Sequence, residues 1–239
     1  QRKIVEHKTG PALVIAGAGS GKTRVITHRV AQLIHSGIPA SSILLLTFTN
    51  KAAKEMAQRV GQALKNSTEQ QKIIHGTFHS VGSRFLRRNA KLLNYNNNFS
   101  ILDSSDSRDL IKASLAETVG KPDKYFPKAA VLQNMFSLAF NRFCTQKMIL
   151  DQPYHERSFH LEQLISADFP NFEENTETLL KILAAYRHKK KSGQVMDFDD
   201  LLENWLELLL RHGEGLPLCR QIQYILVDEY QDTNQVQAN

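Results

Sequence analysis

Cysteine is scarce in this chain. Cys144 and Cys219 are the only two, and neither belongs to a C-x-x-C pair or to a metal-ligand spacing. That excludes a disulfide scaffold and a thiolate zinc site, and it reads as reduced thiols in a cytoplasmic compartment. Long apolar runs are missing as well. None approaches the roughly 18–20 residues that cross a bilayer, so no membrane partner is expected. The opening "QRKIVEHKTG" carries no apolar stretch of the secretory kind. Internal repeats and low-complexity tracts are also lacking, which excludes solenoids and disordered tails as the main architecture.

The remaining composition is that of a globular protein, with 41% hydrophobic and 23% charged residues. A chain of 239 residues can bury a core as one large domain or two small ones. The formal net charge of +6 favours polyanionic partners, and it is concentrated in "SRFLRRNAK" (83–91) and "YRHKKKSG" (186–193). Charge alone describes solvated helix faces equally well.

Patterning divides the chain into two styles. Over the first hundred residues, apolar runs alternate with helical periodicity. "ALVIAGA" (12–18) predicts a buried strand, followed by a helix stopped at Gly37 and Pro39. "SILLLTFT" (42–49) predicts a second strand, and the helix after it spaces Ala52, Ala53, Met56, Val60 and Leu64 along one side. "KIIHGTF" (72–78) predicts a third strand, with a helix through Leu93. Such alternation implies an α/β fold with a parallel sheet and right-handed crossovers. From about 104 to 192 the pattern is mainly helical, broken at "GKPDKYFP" and "DQPYHERS". A further helix follows, with Phe198, Leu201, Leu202, Trp205, Leu208 and Leu209 on one face, and then the strand "YILV". The middle therefore reads as a helical subdomain inserted into a parallel-sheet domain.

The most specific chemical signal is "AGAGSGKT" (16–23), which fits the phosphate-binding loop with Ala16 in the first glycine position. Ala16, Gly17, Ala18, Gly19, Ser20 and Gly21 would cradle phosphates on backbone N–H groups at a helix start. Lys22 would reach the β- and γ-phosphates, and the Thr23 hydroxyl would ligate Mg²⁺. A glycine-rich strand-to-helix turn is the plain alternative, and the GKT triplet in this context disfavours it. Such a site needs carboxylates at the end of a neighbouring strand. "ILVDE" supplies Asp228 for the metal ion and Glu229 to orient or deprotonate the attacking water. Asp197, Asp199 and Asp200 could suggest a second metal cluster, but acids at a helix start more simply complement its dipole.

Taken together, these stretches resemble the superfamily 1 DNA helicases of the UvrD/Rep/PcrA type. "QRKIV" resembles their adenine-reading motif, "AGAGSGKTRV" their first motif, and "TFTNKAAKEM" (47–56) the next. "GTFHS" (76–80), "MDFDDLL" (196–202) and "VDEYQDTNQ" (227–235) complete the series in order. The resemblance implies a RecA-like P-loop motor domain over 1–103 and 193–239, with 104–192 as its helical insertion. It implies ATP and Mg²⁺ as cofactors, Gln1 and Arg24 at the base, and Gln231 as a γ-phosphate sensor. It also implies a single-stranded DNA track at Phe48, Thr49, Asn50, Phe78 and His79, whose aromatics would stack bases. Phe48 and Phe78 could equally be rings of the core, and His79 a hydrogen-bonded loop residue.

Single-stranded DNA and single-strand/duplex junctions are the implied partners, with 3′-to-5′ movement and roles in repair or replication. A second RecA-like domain of the same protein is implied too. Arg187, Lys189, Lys190 and Lys191 are candidates for duplex contact by charge. Because that second domain supplies arginines worth roughly 10³–10⁵ in rate, these residues alone are expected to bind Mg·ATP weakly and to turn it over negligibly. A RecB/AddA-like helicase–nuclease motor, a non-catalytic nucleic-acid-binding module and a small-molecule P-loop kinase are the alternatives.

Overall fold

A computed structural model describes residues 1–7, 10–17, 19–64, 68 and 72–238. The chain forms two compact units, Gln1–Val81 with Glu214–Asp232, and Gly82–Gly213 with Thr233–Asn239. The first begins with α1 (Arg2–Val5), α2 (Lys22–His35), β1 (Ile43–Thr47), α3 (Asn50–Leu64) and β2 (Ile74–Thr77). Helix α4 (Phe78–Asn89) leads into the second unit. That unit holds β3 (Ser100–Ile101), α5 (Ser104–Val119), α6 (Ala129–Phe143), α7 (Gln146–Asp151), α8 (Leu161–Asp168), α9 (Thr176–Ser192), β4 (Val195–Met196) and α10 (Phe198–His212). The chain returns to the first unit through α11 (Pro217–Gln221) and β5 (Tyr224–Val227), and its last helix, α12 (Gln235–Ala238), belongs to the second.

The first unit is the expected parallel α/β layer. Its sheet runs β2-β1-β5, with Leu44 opposite Ile74 on one side of β1 and opposite Ile225 on the other. All five β1 residues are buried, as a strand covered on both faces requires. Ile43 and Leu45 pack with Val30 and Leu33 of α2, Met56 and Val60 of α3, and Ile73. Helix α2 ends as the sequence suggests: Gly37 N–H donates to Ile34 O and Ile38 N–H to Leu33 O, the double closure of a Schellman cap.

The predicted strand at 12–18 does not form. Residues 11–17 have no regular structure, Ala18 lies outside the described residues, and Leu13 and Ile15 are 71% and 91% exposed. An apolar run states a preference for burial without naming a hydrogen-bonding partner. Here both edges of β1 are taken by β2 and β5, and 11–17 pairs with neither.

The second unit is helical, and its contact boundaries are wider than the 104–192 expected from pattern alone. Helix α4 enters it at Gly82, and Phe85 packs on Trp205 of α10 with ring centroids 5.6 Å apart. On α10, Leu201, Leu202 and Leu208 are buried as predicted, whereas Phe198 is 51% exposed. Its start explains the acidic cluster. Asp197 accepts from the Asp200 backbone at 2.8 Å and the Asp200 side chain accepts from the Asp197 backbone at 3.0 Å, a reciprocal capping box.

A buried ionic network lies under α10. Arg157 donates to Glu203 at 2.7 Å and to Glu207 at 2.9 Å. Arg187 donates to Glu203 at 2.5 Å, and Lys190 to Asp197 at 2.6 Å and Asp200 at 2.8 Å. Tyr154 and Tyr186 donate their hydroxyls to Asp200 and Asp197. The cations of α9 are therefore engaged inside the unit. Lys189 pairs with Glu117 at 2.5 Å, and Lys191 donates to Leu93 O with its ammonium 3.5 Å from the Tyr95 ring centre. Arg187, Lys189, Lys190 and Lys191, the candidates for duplex contact by charge, are thus all engaged with groups of their own unit. Periodicity shows where charges sit on a helix, not whether carboxylates face them. In the other basic cluster, Arg87 is likewise turned onto Phe99, donating to its carbonyl at 3.1 Å.

Candidate nucleotide-binding site

The glycine-rich loop expected to hold phosphate precedes α2 in the first unit. Ser20 folds it back, its N–H and hydroxyl donating to Gly17 O at 3.3 and 2.7 Å. Gly21 caps the helix at φ 85°, a left-handed conformation that side chains disfavour. With Gly21 there, the first turn of α2 starts at Lys22 and presents the free N–H groups of a helix N-terminus. Lys22 Nζ donates to Ala16 O at 3.4 Å, and Gln1 Nε2 donates to Ser20 O at 2.9 Å. Gln1 is thus brought to the loop that the sequence associates with nucleotide. Arg24 is exposed on the first turn of α2.

The acidic pair arrives from β5. Asp228 N–H donates to Leu46 O at 2.9 Å, extending the β1–β5 ladder by one bond and delivering the carboxylate at the carboxyl edge of the sheet. Glu229 then takes φ 54°, a single left-handed residue that turns the chain out of the strand direction. The result is convergence. Thr23 Oγ1 donates to Asp228 Oδ2 at 3.4 Å, Lys22 Nζ stands 3.9 Å from Glu229 Oε2, and Gln231 Nε2 donates to Glu229 Oε2 at 2.5 Å. Asp228 is only 4% exposed. Its burial and the neighbouring Glu229 push its pKa up, against the Thr23 hydroxyl and Lys22.

That upward pressure bears on a cation. Two adjacent carboxylates face one lysine, leaving surplus negative charge at a nearly enclosed oxygen pair. Among the described residues no three His, Cys, Asp or Glu side chains form a cage. Mg²⁺ does not need one, since it takes one or two protein oxygens and completes its shell with phosphates and water. Thr23 and Asp228 fit that role.

The whole chain, residues 1–239, matches the family model described as the UvrD/REP helicase N-terminal domain. The chain belongs to this family. Among curated relatives, the ATP-dependent DNA helicase PcrA of Bacillus subtilis (strain 168) is 37% identical over 242 residues, covering 99% of this chain and 29% of that protein. The PcrA proteins of Leuconostoc citreum and Staphylococcus aureus (strain Mu50 / ATCC 700699) are each 34% identical, again covering 99% of this chain and 29% and 30% of theirs. The chain thus spans under a third of the length of these relatives. No helix among the described residues is long and apolar enough to cross a membrane.

The track residues expected of a UvrD/REP domain lie just past β1 and β2, at the same carboxyl edge as Asp228. Phe48 is half-buried, with its ring centre 5.7 Å from that of Phe78, which is only 6% exposed. Phe78 is therefore a core ring on which Phe48 leans. Thr49 and Asn50 are exposed, and Thr49 Oγ1 accepts from Ala52 N–H at 3.1 Å in the first turn of α3. His79 is largely enclosed, and burial holds its pKa below the usual imidazole value. Sequence reasoning passed over Asn141 and Asn234, whose side chains hydrogen-bond to each other in the second unit. Each looks like an ordinary polar surface residue, and only the fold shows what it faces.

Proposed function

We propose that this chain is the nucleotide-binding motor domain of an ATP-dependent DNA helicase, acting on single-stranded DNA and at junctions with duplex. The convergence of Lys22 and Thr23 with Asp228 and Glu229 supports the reading, because it sets a lysine and a hydroxyl at a helix start beside two strand-end carboxylates. Lys22 would neutralise the β- and γ-phosphates, and Thr23 with Asp228 would hold Mg²⁺, which supplies charge neutralisation at the phosphates. Glu229 would orient the attacking water, with Gln231 fixing that carboxylate from the far side. The loop Ala16–Gly17–Ala18–Gly19–Ser20–Gly21 would wrap the phosphates, with Gln1 and Arg24 towards the base.

Phe48, Thr49 and Asn50 would meet a single strand, with Phe78 and His79 supporting them from below. Coupling to translocation, 3′ to 5′ in this reading, would need a second RecA-like domain closing over the nucleotide. The site would work in the cytoplasm. The test is titration of a fluorescent ATP analogue into the 239-residue chain with Mg²⁺ present. Saturable binding is expected, weakened at least tenfold by Lys22→Ala. Equal affinity in the two proteins would remove the proposal.

A further inference from the structure

Ahead of the glycine-rich loop, α1 is a helix of four residues, none of them buried. A helix so short does not hold itself together in water, so contacts with its own unit must place it. Ile4 and Val5 are half-buried, while Arg2, Lys3 and Glu6 are exposed. Among the described residues two hydrogen bonds tie α1 to the chain that follows, one at each end. At its start Gln1 Nε2 donates to Ser20 O at 2.9 Å, and that nitrogen lies 3.5 Å from where a Cβ on Gly21 would stand. At its end Val5 O, one of the carbonyls a helix terminus leaves without an intrahelical partner, accepts from Arg29 Nη1 at 2.9 Å. Arg29 is half-buried on α2, two turns beyond Lys22 on the same face and about 10 Å further along the axis. The short helix is therefore pinned to the loop by Gln1 and to the body of α2 by Arg29. All of these residues belong to the first unit.

We propose that Arg29 is a positioning residue for base recognition: by holding the last carbonyl of α1 it sets where Gln1 stands over the glycine-rich loop. The inference rests on the nucleotide reading above and deepens it. Beyond the N–H given to Ser20, a glutamine amide has a second N–H and an oxygen, the donor–acceptor pair that matches an adenine edge. Such a pair is directional, and its hydrogen bonds weaken steeply when misaligned. With the Arg29 contact gone, α1 would pivot about its single bond to Ser20, and the amide with it. Arg29 itself touches no nucleotide in this reading.

The phosphates would meet the loop and Lys22, whereas Gln1 would meet only the base. Ligands with and without a base therefore separate this role from mere support of the fold. Mg·ATP and Mg·tripolyphosphate are each used to displace the fluorescent ATP analogue from the 239-residue chain. Physiological salt largely screens a charge about 10 Å from the phosphates. Arg29→Met keeps the apolar stem and removes the donor. It is expected to weaken Mg·ATP binding by about two- to tenfold, the range of one hydrogen bond, and to leave tripolyphosphate binding unchanged. Gln1→Ala should also weaken Mg·ATP binding, and the double variant should lose no more than the larger single loss. Should Arg29→Met not fold, Arg29→Gln, whose amide ends short of Val5 O, carries the same expectations. Undiminished ATP affinity, equal losses for the two ligands, or additive losses would each overturn the positioning role while leaving the nucleotide reading intact. A parent chain that binds neither ligand would overturn both.

Discussion

Arg157 and Glu203 meet at 2.7 Å with side chains 0% and 1% exposed. Arg157 also reaches Glu207 and two backbone carbonyls, while Glu203 takes a second guanidinium from Arg187. The two guanidiniums hold the Glu203 carboxyl below its ordinary pKa although burial opposes them. A pair this enclosed is weak evidence of net stabilisation, but breaking it leaves a charge with no counter-ion. Arg157→Ala is expected to lower unfolding free energy by about 3–5 kcal/mol, read from urea midpoints at constant m. A loss below about 1 kcal/mol would mean that water reaches the cluster.

Gly82 lies against the Trp205 ring with no room for a side chain. A Cβ there would stand 2.8 Å from the Trp205 ring, closer than side-chain carbons pack. Trp205 is the only tryptophan, so its fluorescence reports on this one contact. Gly82→Ala should cost about 1–3 kcal/mol by overpacking and shift the emission maximum as the indole moves. Unchanged emission with unchanged stability would show that α4 yields there at no cost.

These two sites mark the limit of what the sequence discloses. The turn into α2 was legible because its pattern is local: three glycines, Lys22 and Thr23 lie within seven residues. β1 and β2 were legible because apolar runs followed by helical periodicity repeat. Asp228 was legible as a strand-end acid, although only folding shows Thr23 beside it. Residues 11–17 misled because hydropathy does not name a pairing edge. Arg157 was invisible for the opposite reason. It lies in "DQPYHERS", which reads as a solvated break, and nothing near it in sequence predicts burial against Glu203, 46 residues away.

Asp199 provides a pH signature. Burial, first, and then the adjacent Asp197 push its carboxyl up to about 7, with Ser137 and Lys190 opposing and Asp200 adding to the rise. In the unfolded chain the same group titrates near about 3.9. The native state therefore binds the proton more tightly, and its stability falls as pH rises from about 4 to about 7. Asp199→Asn removes the titration while nearly keeping the shape. It is expected to leave the melting temperature little changed at pH 4, to raise it progressively towards pH 7, and to hold a constant gain above that. A gain that is largest in acid would reverse the sign and refute the assignment.

β5 lies at one edge of the three-stranded sheet. Among the described residues β5 pairs only with β1, and Ile225 in its middle is 63% exposed. Edge strands with exposed apolar side chains are templates for pairing with other chains, and a lysine on such an edge suppresses it. Ile225→Lys is therefore expected to raise the monomer fraction in size-exclusion chromatography. Because the side chain has little contact to lose, the unfolding free energy should change by no more than about 0.5 kcal/mol. In the competing arrangement the apolar run Leu13–Val14–Ile15 covers this edge in solution, completing the strand that the sequence suggests. Ile225 would then be buried, and the same substitution would cost several times more by burying an ammonium. The size of that loss separates the two arrangements: a small one leaves β5 an open edge, and a large one places residues 13–15 against it.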